Sequence, residues 1–225
     1  LMLLGASWPI HDVAEGYLFS VHMVQHILFS LVATPLLILG TPSWMARWLL
    51  PAPLMRVFRR IARPLPALAI FNVYLVFSHW PGFVNYVAVN EGAHFLAHFV
   101  LVLTAIVMWW PVLSPLSEAP RVSPPAQMLY LFGQTIVPTV PASFLTFAKA
   151  PFYSVYANAP RLVASISPTT DQLISGLIMK LGGGLLLWSV IAVLFFRWSS
   201  REESEMPDAS DWQDLEGQVN RTGIR

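Results

Sequence analysis

Five long apolar runs, separated by short polar joins, set the pattern of this chain. They cover about Phe19–Leu39, Leu65–Trp80, His94–Trp110, Met128–Phe147 and Leu173–Phe196. Each reaches or approaches the ~20 residues that an α-helix needs to cross a bilayer core, the second and third being short enough to borrow flanking residues. Neither the period of 2 expected of strands nor a solenoid-length repeat is present. The pattern therefore predicts an all-α fold, a polytopic transmembrane helical bundle of five full spans. Ahead of them, LMLLGASWPI reads as the last turns of a further, partial N-terminal span, with more chain expected upstream. Residues 1–198 form the bundle in this reading, and 199–225 a polar, disordered tail.

Prolines mark the joins, among them Pro42, Pro51, Pro64, Pro81, Pro111, Pro120, Pro160 and Pro168. Pro35, Pro138 and Pro141 fall within spans and predict kinks, which neighbouring helices can accommodate. Gly182, Gly183 and Gly184 predict a close helix contact. Asn72, Gln25 and Gln134 are expected to hydrogen-bond between helices.

Composition agrees with the pattern. With 56% hydrophobic and only 11% charged residues, the chain cannot cover a soluble surface. Seven of the twelve acids lie beyond Arg201, so the net charge of +1 gives no reason to expect a nucleic-acid partner. Basic residues matter as markers of topology. Loop 41–64 carries Arg47, Arg56, Arg59, Arg60 and Arg63 without an acid, which places it in the cytoplasm. The tail, opening with Arg197 and Arg201, then also lies in the cytoplasm. All six histidines fall on the opposite, outer side.

There the candidate chemistry collects. His22 and His26 are spaced i,i+4 in the outer turns of the first span, as are His94 and His98 in the third. His79 closes the second. An i,i+4 pair shares one helix face, so five imidazoles can converge at one depth. Without cysteine, any transition metal must be held by His, Met or carboxylate, and imidazole suits zinc, copper, iron or nickel. Asp12 and Glu15 could orient or join the ligands, and Met179 is a possible soft ligand. Met23 points about 100° away from His22 and is a poor candidate partner. Interfacial histidines bonded only to carbonyls or headgroups are the structural alternative. Lys180 is the one formal charge deep in a span and is expected to face the bundle or an aqueous cavity.

The run VHMVQHILFSLVATPLLILGTP, with SHWP at Ser78–Pro81, HFLAH at His94–His98 and DQLISGLIM at Asp171–Met179, resembles the multi-helix CtaG family of cytochrome c oxidase assembly factors. The likeness extends from about Leu3 to Phe196. It implies a non-enzymatic role in maturing a haem-copper oxidase at the bacterial plasma (inner) membrane. Copper would be held by His22, His26, His79, His94 and His98 on the extracytoplasmic face and passed on with oxidase subunits or a copper chaperone as partners. It also implies more spans than this chain carries. Two other readings of the residues remain open: an intramembrane zinc-dependent hydrolase, and a haem b protein with His26 and His98 as axial ligands.

Overall fold

A computed structural model describes residues 13–14 and 16–205. The partial N-terminal span, His11, Asp12, Glu15 and the tail beyond Glu205 lie outside the described residues. The described residues are mostly helical and contain no strand. In order it forms α1 (Phe19–Leu39), α2 (Ser43–Leu49), α3 (Ala52–Ile61), α4 (Pro64–Ser78), α5 (Pro81–Ala88) and α6 (Glu91–Leu113). There follow α7 (Pro124–Ile136), α8 (Thr139–Phe147), the single turn α9 (Ser154–Ala157) and α10 (Pro168–Ser204). Four units are long and apolar enough to cross a bilayer: α1, α6, α10 and the α7–α8 unit Pro124–Phe147. The bent pair α3–α4 makes a fifth when counted as one span.

That bend explains the short second run. α4 has 15 residues, about 22 Å of helix, less than a bilayer core. Proline restricts the residue before it, so Arg63 is extended (φ −69°, ψ 151°) and α3 leaves α4 at 82°. The third span is longer than the apolar run alone. Its start is fixed by Asn90, whose side chain accepts the Ala93 N–H, and it continues through Pro111 to Leu113.

Pro35 does not break α1. The six residues Leu28–Ala33 just before it wind as a π-helix, which takes up the mismatch left by the missing N–H. Pro138 does separate α7 from α8, whereas Pro141 lies buried within α8.

α6 packs along α4 and the lower half of α1, while α10 packs against α8 and α1 above and α7 below. One apolar core fills the lower and middle bundle around Phe71, Leu101, Met108, Trp109 and Leu131. A second fills the upper end around Phe19, Met23, Tyr153, Tyr156 and Met179. Polar ties cross both. Asn72 donates to Gln134 at 2.6 Å, and Gln134 donates to the Tyr130 hydroxyl at 2.9 Å. Tyr130 in turn donates to the Met108 carbonyl at 2.7 Å, so α4, α7 and α6 are joined as the amide residues lead one to expect. The glycine expectation fails in detail. A Cβ at Gly182 or Gly183 would meet only ordinary contacts, and at Gly184 nothing; the tight approach is at Gly176, against the α8 backbone.

Candidate metal centre

Each histidine is placed by an identifiable local cause. α1 begins at Phe19 because the buried Asp171 carboxylate of α10 accepts the N–H groups of Phe19 (2.7 Å) and Ser20 (3.1 Å). This cap comes from another helix, and it fixes the depth of His22 and His26, one and two turns in. The Asn90 cap does the same for His94 and His98 in α6. In SHWP, Pro81 forces Trp80 out of the helical region (ψ 130°), so α4 stops at Ser78 and His79 becomes its cap. The His79 ring folds back on the last turn, with Nδ1 2.6 Å from the Leu75 carbonyl oxygen.

That contact assigns the tautomer: Nδ1 carries the proton and donates, leaving the Nε2 lone pair available. His79 Nε2 is buried with no hydrogen-bond partner among the described residues. Tyr153 fixes the same turn by donating to the His79 carbonyl at 3.0 Å. Burial pushes the Tyr153 hydroxyl pKa up, so it serves as a neutral donor.

The five rings meet. Centroids are 4.4 Å apart for His22–His26 and for His94–His98. Between helices, His22 lies 5.4 Å from His94 and 5.5 Å from His98, and His26 lies 5.2 Å from His98. His79 joins through His26 at 6.1 Å. One ligand nitrogen from each of His22, His94 and His98 lies within 4.8 Å of the others. Around a tetrahedral metal with bonds of about 2.0 Å, ligand nitrogens sit about 3.3 Å apart, so small ring movements could close this triangle on one ion. Phe19, Phe29 and Tyr156 wall the cluster.

Beneath it, a cavity of about 70 Å³ runs from His26 and His79 past Met23 and Met179 to Gln134 and Lys180. Met23, turned away from His22, thus shares this cavity with His26. Lys180 sits in the π-helical turn Ile178–Gly182 of α10 at the cavity edge, exposed and with no carboxylate in ion-pair range among the described residues.

Two groups escaped sequence reasoning. Asp171 reads as an ordinary first-turn acid after the Ser167 cap, and nothing local reports that it reaches another helix. Both its oxygens accept backbone amides of α1. Tyr153 and Tyr156 lie in the short segment joining α8 to α10, where spacing carries no signal.

Residues 1–201 match the protein family described as cytochrome c oxidase caa3 assembly factor (Caa3_CtaG). No curated protein and no solved structure matches the chain.

Proposed function

The chain belongs to the caa3 cytochrome c oxidase assembly factor family, and from that premise we propose that it binds copper through its histidine cluster and aids delivery of the metal to a haem-copper oxidase. Copper is cargo in this reading, and the protein is not an enzyme. The observation that carries it is the triangle of His22, His94 and His98 nitrogens within 4.8 Å, spanning two helices, with His26 and His79 beside it. Imidazole ligands without thiolate suit exchangeable copper in an oxidising compartment. Two further donors beside a three-donor site offer a path by which the ion can leave one ligand at a time.

The arginines of residues 47–63 lie beyond the far end of α1, about 20–25 Å of helix from the histidines. By the positive-inside rule, that end faces the cytoplasm and the histidines face outward across the bacterial plasma membrane. Partners on the outer face would be oxidase subunits or a copper chaperone.

The test is metal analysis of the protein purified from copper-replete cells, by mass spectrometry, with an optical spectrum of the same sample. Copper in stoichiometric amount without a Soret band is the expected result. Zinc in its place, or a haem spectrum, would overturn the reading.

A further inference from the structure

The end of the bundle opposite the histidines holds a second built site. α3 is two-faced. Leu54, Val57, Phe58 and Ile61 repeat at i, i+3, i+4 and i+7, and Arg56, Arg59 and Arg60 take the other side, with Arg63 just past the helix end in the bend. Its apolar side is anchored by Phe58, buried and edge-to-face on Trp110 at 4.6 Å. The 82° bend before α4 lays α3 across the spans instead of along them, the attitude of a helix lying in a membrane interface.

All four arginines line one open cavity of about 420 Å³, with Trp110 and Glu118 opposite. Trp110 is held by donation from its Nε1 to the Ala119 carbonyl oxygen at 3.2 Å. Glu118 does not cancel the arginines, because Arg47 engages both its oxygens, at 2.7 and 3.4 Å. The guanidinium groups of Arg56, Arg59, Arg60 and Arg63 have no carboxylate in ion-pair range among the described residues. Charges that serve only as topology markers need to share a side of the membrane. They need neither a common helix face nor a common cavity.

We propose that this cavity binds the phosphate headgroup of an anionic phospholipid. Guanidinium forks match phosphate oxygens two at a time, and basic pockets between spans at this depth suit such headgroups. A lipid, and not a soluble phosphate, fits what surrounds the cavity. Leu54 and Val57 are exposed on the opposite side of α3, Leu65 is exposed directly after the lining Pro64, and Trp44 and Trp48 are exposed on α2, as residues at the bilayer boundary are. A free anion would use none of these.

The experiment is native mass spectrometry of the full chain released from detergent in the presence of phosphatidylglycerol or phosphatidylcholine at equal concentration. The expected result is preferential retention of phosphatidylglycerol, weakened roughly ten- to thirty-fold in the double variant Arg59→Gln/Arg60→Gln. Equal retention of the two lipids, or unchanged retention in the variant, would overturn the proposal. Displacement of the lipid by millimolar inorganic phosphate would also overturn it, by identifying a small-anion site. The lipid comparison and the phosphate competition both use the unaltered protein, so they decide even where the variant fails to accumulate.

Discussion

The carboxylate of Asp171 accepts the backbone N–H of Phe19 at 2.7 Å across 152 positions of sequence, and the next amide, Ser20, at 3.1 Å. One side chain of α10 thereby sets where α1 begins, and with it the depth of the first histidine pair. Asp171→Ala would leave one buried and one partly buried amide without this acceptor, at a cost of about 2–3 kcal/mol. For a chain of this size that corresponds to a fall in Tm of about 5–10 °C, readable by tryptophan fluorescence in detergent. Asp171→Asn keeps one acceptor and should lose about half as much. An unchanged Tm in the alanine variant would show that the start of α1 is held by something else.

Gly176 of α10 packs directly on the backbone of α8. A Cβ there would collide with Thr146 Oγ1 and lie 2.7 Å from the Ala142 carbonyl oxygen. Thr146 cannot simply swing aside, since its hydroxyl donates to that same carbonyl at 2.8 Å. Gly176→Ala should therefore force the helices apart and destabilise by about 1–3 kcal/mol. Gly184→Ala, where a Cβ meets nothing within 4 Å, should be neutral or slightly stabilising through helix propensity. Paired thermal melts of the two variants separate tight contact from glycine content; equal effects would contradict the geometry.

The difference between these glycines shows where sequence reading reaches its limit. Hydropathy located the spans, and i,i+4 spacing located both histidine pairs, because each depends on one helix alone. His79 was legible for a related reason: the following Trp-Pro pair stops α4, so its ring had to sit at the helix end. What the sequence concealed depends on two helices at once. GGG suggested a contact that Gly176 makes, and the capping role of Asp171 exists only because α10 and α1 start side by side. The 82° break between α3 and α4 was hidden because the run from Leu65 looked like the start of a span, not the second arm of a bend. The grouping of four arginines in one cavity followed from that break.

Arg47 and Glu118 join α2 to the loop after α6 through two parallel contacts. Hydrogen bonding and charge from Arg47 lower the Glu118 carboxyl pKa from its ordinary 4.5 to about 2. A carboxylate whose pKa is depressed on folding stabilises above its unfolded value and loses that contribution as pH falls through the folded one. The difference in Tm between the protein and Glu118→Gln should thus be present above pH 4.5 and vanish as pH falls towards 2. Both side chains are largely exposed, so the difference should be small and shrink further in 1 M salt. A gap that persists at pH 2 would mean that Glu118 acts through packing and not through charge.

His98 is the hub of the cluster, with ring centroids 4.4 Å from His94, 5.2 Å from His26 and 5.5 Å from His22. The double variant His26→Ala/His98→Ala removes that hub together with the link from α1 to His79. Copper affinity, measured by competition with a chromophoric chelator, should fall roughly a hundred-fold or more, since losing even a group that only orients a ligand costs 10–100-fold. The bundle itself should survive. Its spans are held by apolar packing and internal backbone bonds, and the main core around Trp109 and Leu131 contains no histidine. A fall in Tm of only a few degrees is expected, from lost ring contacts such as Phe29 on His98. A structural metal site would behave differently, because there metal binding is folding energy and the variant would be lost from the membrane. If the variant accumulates and binds copper as before, the ligand assignment is wrong. If it accumulates without copper and the cell's oxidase loses activity under copper limitation, cluster and assembly are linked. Full oxidase activity under the same limitation would separate them, and copper delivery by this chain would be abandoned.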